Sequence, residues 1–281
     1  MTVRIVTDST VDMPPNLAQQ WGIVVVPLTV VIAGRAYREG LDIDHETFYK
    51  LLVEGKANPT TSAPSVGDFL HIYEELARET DEILSIHISS KLSATYSNAR
   101  LAAQAMREQG VRVEVVDSRS VSLAMGFVVM AAARAVQGGA GLEQALAVAQ
   151  RCTQRVHLTF VLDTLEYLRR GGRIGRARAL LGTMLRAKPI LSLRDGEVHP
   201  EGRVRTRAQA LERLYQMAVA YPRATEVGVG YTTTREEAEA LLARLAAALP
   251  QARAYLTRIG PVVGTHGGPG VIGVGVMEGE E

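Results

Sequence analysis

Short apolar runs and amphipathic stretches alternate along most of the chain. Residues 3–7 read as a strand closed by a turn at Asp8-Ser9-Thr10, and Pro14-Pro15 opens a helix to Trp21. Residues 23–32 form a β-branched, mostly apolar run that ends at a hairpin turn, Ala33-Gly34-Arg35-Ala36. Asp44 is placed to cap a helix through Glu54. Ser65, with Asp68 three positions on, predicts a capping box. Next come a strand at 83–88, a Ser/Thr-rich loop, a helix to Gln109, a strand at 111–116 and a helix at 120–136 whose stretch 121–130 is apolar all round. Strands that alternate with helices predict right-handed crossovers and a mainly parallel sheet.

Gly138-Gly139-Ala140-Gly141 is the clearest break in composition, and one more helix follows it to Gln154. The predicted domains are therefore 1–154 and 155–281. The second half reads as a strand at 156–162, short helices and a strand at 190–193 that turns at Arg194-Asp195-Gly196-Glu197 into its partner. A helix at 207–221, a strand at 227–231, a helix at 236–249 and strands at 252–259 and 271–276 complete it, with a frayed tail at 278–281. The expectation is two α/β domains. The N-terminal one is a three-layer α/β/α domain with a mainly parallel sheet, and the C-terminal one is a two-layer domain with a mixed sheet.

With 281 residues the chain has room for two cores. The formal net charge of +1 argues against global affinity for nucleic acid. A single cysteine, Cys152, rules out an intramolecular disulfide and a multi-cysteine zinc site, and the six histidines lack metal-ligand spacing. The start carries no secretory pattern and no apolar run reaches membrane-spanning length, so the expectation is a cytoplasmic protein with no integral membrane segment.

Three segments carry candidate chemistry. Thr60-Thr61-Ser62 lies between two prolines just before the Ser65 helix, and hydroxyls donate without carrying charge. Ser89-Ser90-Lys91-Leu92-Ser93 joins a strand end to a helix start, where open α/β sheets bind ligands and free N–H groups favour an anion. N-capping by Ser90 or Ser93 is the alternative. Gly260-Pro-Val-Val-Gly-Thr-His-Gly-Gly-Pro-Gly270 puts His266 in a glycine-rich turn between apolar runs. There the alternative is a tight hairpin with an incidental histidine. Together the three supply neutral donors for one anionic head group. Small residues in the apolar helix, Ala124 and Gly126, could leave room for a channel. Arginines at 169, 170, 173, 176 and 178 form a basic stretch, with Arg203, Arg205 and Arg207 further along, read either as a docking patch or as a solvated face. There is no P-loop, dinucleotide fingerprint or nucleophile elbow, and no activated nucleophile is evident.

Six motifs in order, Ile5-Val6-Thr7-Asp8-Ser9, Thr61-Ser62-Ala63-Pro64-Ser65, Leu92-Ser93-Ala94-Thr95-Tyr96, Leu168-Arg169-Arg170-Gly171-Gly172-Arg173-Ile174, Lys188-Pro189 and Gly264-Thr265-His266-Gly267-Gly268-Pro269-Gly270, resemble the DegV family of bacterial fatty-acid-binding (FakB-type) proteins over essentially the whole length. The resemblance implies a fatty acid held between two α/β domains, its carboxylate contacted by Thr61, Ser62, Ser93 and His266. It implies an acyl carrier that is not an enzyme and needs no cofactor. A separate ATP-dependent, dihydroxyacetone-kinase-like fatty-acid kinase would phosphorylate the bound carboxylate, docking near Arg173 and Arg203. The chain departs from the family pattern at Ala94, where glycine is common, and at Gly267, where threonine is common. The competing reading of the residues is a serine-type acyl ester or thioester hydrolase with Ser93 as nucleophile and His266 as base. A third is a regulatory module for another small carboxylate or phosphate.

Overall fold

A computed structural model describes residues 3–54, 58–182 and 187–280. The first half runs β1 (Arg4–Asp8), α1 (Pro15–Gln20), β2 (Val24–Val26), β3 (Thr29–Ile32), β4 (Arg35–Arg38), α2 (His45–Val53), β5 (Thr60–Ser62), α3 (Val66–Leu76), β6 (Glu82–His87), α4 (Thr95–Glu108), β7 (Arg112–Asp117), α5 (Ser122–Gln137) and α6 (Leu142–Thr153). The second half runs β8 (Val156–Val161), α7 (Glu166–Arg170), a 3-10 turn, β9 (Lys188–Arg194), β10 (Glu197–Val204), α8 (Arg207–Val219), β11 (Ala224–Tyr231), α9 (Arg235–Ala248), β12 (Arg253–Arg258), α10 (Pro261–Gly267) and β13 (Ile272–Glu278).

The expected α/β architecture is present. Strands of the first half form a fully parallel sheet ordered β2-β1-β6-β7 and a small antiparallel sheet ordered β4-β3-β5. Strands of the second half form one mixed sheet, β10-β9-β8-β13-β11-β12, in which only β11 and β12 run parallel. The apolar run at 23–32 is two strands rather than one. Pro27, which has no N–H to give a ladder, separates β2 in the parallel sheet from β3 in the small sheet. Both hairpin turns are as expected, with left-handed backbone at Ala33-Gly34 and at Asp195-Gly196. Both helix caps are also in place: Asp44 Oδ1 accepts from the Thr47 N–H, and Ser65 and Asp68 exchange capping bonds. The tail is partly tied down, since the Glu278 and Gly279 N–H groups donate to Arg155 and Arg223 carbonyls, while position 281 lies outside the described residues.

Helix α5 joins the two large sheets. It is apolar on every side because it is covered on every side. One core holds its Leu123, Phe127 and Met130 together with Ile5, Leu84 and Ile86 of the parallel sheet and Met277 of the mixed sheet. Glycines set the distance on the second face. Gly228 stands opposite Gly275, and Gly230 opposite Gly273, on adjacent strands. A side-chain carbon at Gly275 would fall 3.1 Å from Leu123 Cβ, so bare backbone there admits the helix.

Candidate functional site

The stretch from Gly260 to Gly270 is not a hairpin. Pro261 starts the short helix α10, Gly260 precedes it in extended conformation, and Gly268, at φ +80°, ends it. The flanking strands β12 and β13 do not pair with each other; both pair with β11. His266 therefore sits on the last turn of a helix, and its direction is set by the helix rather than by a turn.

That direction takes it to Thr61. Thr61 Oγ1 and His266 Nε2 share a hydrogen bond of 2.8 Å across 205 positions of sequence. Thr61 reaches it because β5 pairs with β3, with Thr61 opposite Val30, and alternation along a strand turns every second side chain inward. The same alternation turns Ser62 the other way. It is exposed and does not line the cavity that Thr61 faces.

The cavity is lined from both halves of the chain, and the centre of a water molecule has about 200 Å³ available in it. That is many times what a single trapped water needs. Thr61, Ser93 and His266 all contribute to its wall. Most of the rest is apolar, including Leu28, Ile88, Leu123, Leu158, Phe160 and Val271. Its room comes from Gly230 and Gly273 of the mixed sheet, both of which line it. Ala124 and Gly126 do not: Gly126 packs against Val11 and Met13. Ala94 and Gly267, where the chain departs from the family pattern, also line the cavity. A side-chain carbon at Gly267 would start 2.9 Å from Val271 Cγ2.

Ser93 lies just before α4. Its Oγ bonds Thr95 Oγ1 at 2.8 Å and accepts a longer contact from the Thr95 N–H. The Ser90 hydroxyl instead donates to Asp117 Oδ2, and the N-cap position of α4 is Ala94, with no side-chain cap bond. His266 and Ser93 each have another partner, Thr61 and Thr95, and His266 Nδ1 is buried with no hydrogen-bond partner among the described residues. The Gly171 backbone crowds that nitrogen so closely that a side-chain carbon there would fall 2.0 Å from it. Burial, reinforced by the positive charge of Arg173, presses the His266 imidazole down to about 4. The ring is neutral at neutral pH.

Arg173 is a cavity residue that the spacing alone did not single out. Expected on a docking surface, it lines the cavity half-buried, donating to the Leu92 carbonyl at 3.0 Å and the Gly171 carbonyl at 2.6 Å. The polar side of the cavity is thus not made of neutral donors alone; a guanidinium stands beside them. Nothing in the spacing separated Arg173 from its neighbours. Arg169 and Arg170 both pair with Glu166, and Arg176 with Glu197. Arg203 is exposed on β10, in a shallow basic depression shared with Arg205, Arg213 and Arg244 and apart from the cavity. Among the described residues no cluster of His, Cys, Asp and Glu is disposed to hold a metal ion. Among them, too, no helix is long and apolar enough to cross a membrane.

Fold and cavity together define an α/β protein of two large sheets and one small one, with an apolar chamber flanked on one side by hydroxyls, an imidazole and a guanidinium. The family model described as "Uncharacterised protein, DegV family" matches residues 2–279, and the chain belongs to that family. A DegV domain-containing protein of Caldanaerobacter subterraneus subsp. tengcongensis is 37% identical over 279 residues, covering 97% of each chain. A solved structure described as "Fatty Acid Binding of a DegV family Protein from Thermus thermophilus" superposes with a TM-score of 0.91 at 39% identity, covering 99% of this chain and 100% of that one. A stearic acid-binding protein of Eubacterium ventriosum superposes with a TM-score of 0.91 at 26% identity, covering 98% of each.

Proposed function

We propose that this protein is a carrier that binds a long-chain fatty acid, with the tail in the apolar chamber and the carboxylate at Thr61, Ser93 and His266. The observation that carries the reading is the meeting of these three side chains, from distant stretches of sequence, on the wall of one otherwise apolar cavity. The relatives from Thermus thermophilus and Eubacterium ventriosum, described as binding fatty acid and stearic acid, support it.

The energetics fit a division of labour. About 16 methylenes gain roughly 13 kcal/mol gross on burial at ~0.8 kcal/mol each. Association and ordering remove several of these, about half. Each hydrogen bond to the carboxylate adds about 1.5–3 kcal/mol. The tail supplies most of the affinity, and the polar group sets which end faces Thr61. A neutral imidazole and hydroxyls hold the head group without neutralising it, and Arg173 lowers the cost of bringing the negative charge in. By the family resemblance, the bound acid is then presented to a separate fatty-acid kinase. The exposed arginines around Arg203 are the proposed docking surface. Serine hydrolase chemistry is disfavoured because His266 Nδ1 has no orienting acid among the described residues.

The test is lipid extraction and mass spectrometry of purified protein, followed by titration of the delipidated protein with palmitate and oleate. A long-chain acid at near-stoichiometric yield with saturable rebinding is expected. No lipid and no saturable binding would sink the reading. Ser93→Ala and His266→Ala are expected to weaken kinase-coupled phosphorylation more than tail binding. Turnover of a chromogenic ester panel, abolished by Ser93→Ala, would instead favour the hydrolase.

A further inference from the structure

We infer that Asp12 and Glu39 are positioning residues for His266: they clasp the start of α10 and so hold its far end against Thr61. The inference rests on the reading of the Thr61–His266 pair as the head-group contact. The first N–H groups of any helix lack partners within it, and a helix of one or two turns does not hold its place alone. In α10 those groups are taken by carboxylates from the other half of the chain. The Gly260 N–H donates to Asp12 Oδ1 at 2.8 Å and the Val262 N–H to Glu39 Oε1 at 2.9 Å. The Tyr49 hydroxyl donates to the Ile259 carbonyl at 2.8 Å, just before the helix. Both carboxylates are in turn held, Asp12 by the Ser122 hydroxyl and Glu39 by the Ser9 hydroxyl, each at 2.5 Å. Gly260 is bare for this reason: a side-chain carbon there would fall 2.4 Å from Glu39 Oε1 and 3.3 Å from Asp12 Oδ1. The helix is thus fixed to the first half of the chain at both ends, by the carboxyl pair at its start and by Thr61 at its finish.

Two acids this close and this deeply buried do not both ionise easily. Burial first, with the neighbouring acids adding to it at Glu39, pushes Asp12 up to about 7 and Glu39 up to about 8. The titratable and charged groups around the clasp add little to offset the second charge. Asp8 is a further acid. Tyr49 is a phenol whose ionisation burial opposes. Arg258 stands over the outer face of the Tyr49 ring and pairs with Glu46, near His45. At the far end of α10, Arg173 faces His266. Near neutral pH the pair keeps a proton and the clasp is closed. As pH rises through 8 the second charge enters, the two acids repel, and the seat of α10 loosens.

The experiment has an arm without ligand and an arm with it. In ligand-free, isotope-labelled protein the Gly260 and Val262 amide signals are expected to titrate between pH 6 and 9, with the His266 ring signals following. Glu39→Gln, which mimics the protonated acid, should abolish the titration at Val262 and leave His266 in place. Glu39→Ala should shift the His266 ring signals at every pH. In the second arm, wild-type preference for palmitate over palmityl alcohol should fall about tenfold from pH 7 to pH 9, and Glu39→Gln should keep it. Flat amide signals from pH 6 to 9 would overturn the inference, as would unmoved His266 signals in folded Glu39→Ala. If Glu39→Ala does not fold, Asp12→Asn with Glu39→Gln decides, because persistence of the pH dependence in that double variant also overturns it. Failure of the fatty-acid reading shows separately, as absence of palmitate binding in wild type at any pH.

Discussion

The two sides of the cavity are held in different ways. The apolar side is built from side chains already committed to the fold, such as Leu123, which belongs to the core that α5 shares with both large sheets. The polar side is built from single contacts: one hydrogen bond between Thr61 and His266, one between Ser93 and Thr95, and one bare glycine behind the imidazole. Apolar attraction is summed over area and tolerates the loss of a part. Hydrogen bonding depends on geometry and fails when one atom moves. Under the proposed function the difference makes strength and orientation of binding separable, with orientation the fragile property.

Ligand length tests the apolar side with the largest expected effect. Replacing palmitate by octanoate removes eight methylenes at ~0.8 kcal/mol each, so calorimetry should show a loss of about 6 kcal/mol, tens of thousands-fold in Kd. An equal affinity for the two acids would mean that the chamber does not hold the tail.

Gly171→Ala should break the polar side from behind. The added methyl cannot share space with His266 Nδ1, so the ring leaves Thr61. Palmitate affinity is expected to fall 10- to 100-fold, the worth of about one charge-assisted bond, while palmityl alcohol binds as before. An equal loss for both ligands would show that the two sides are not separable.

The third expectation concerns acid. The folded His266 imidazole lies at about 4, below the ordinary value of 6.5, so its contribution to stability is complete above 6.5 and is lost as pH falls through 4. Asp12 and Glu39, raised to about 7 and 8, act in the opposite sense: their contribution is complete below the ordinary carboxyl range and lost as pH rises through those values. Comparison with His266→Asn isolates the imidazole. The stability difference between wild type and variant should change against wild type by on the order of 3 kcal/mol from pH 7 to pH 4, read by urea unfolding. A constant difference would contradict a buried neutral ring.

The smallest effects come from neighbours in one strand. Thr61→Val should cost about 1.5 kcal/mol of palmitate binding, roughly tenfold. Ser62→Ala should leave Kd within about twofold, because the side chain faces solvent. A large effect at Ser62 would restore it to the head-group site.

What could be read in advance was local. The caps at Asp44 and Ser65 and the turns at Ala33-Gly34 and Asp195-Gly196 depend on two to four adjacent residues, and their chemistry is visible in the sequence. The family motifs also contain Thr61, Ser93 and His266, which the structure places on the wall of one cavity. What was not legible depended on partners far away in sequence or on which way a strand faces. Gly260 to Gly270 reads as a turn because glycine and proline dominate it, yet Pro261 and Gly268 are also an N1 and a stop for a helix whose start is completed by Asp12 and Glu39. Ser62 was grouped with Thr61 although one step along a strand reverses the face. Arg173 was indistinguishable from its basic neighbours until the Leu92 carbonyl was brought beside it.

The paired glycines of β11 and β13 have one further consequence. A methyl at Gly273 would meet Phe160 Cβ at 3.5 Å and the Thr159 carbonyl at 3.6 Å, ordinary touching distances that displace nothing. Gly230 is tighter, at 3.2 Å from Ile259. Position 273 therefore admits one added carbon: an alanine there would narrow the compartment by a methyl while leaving its neighbours in place.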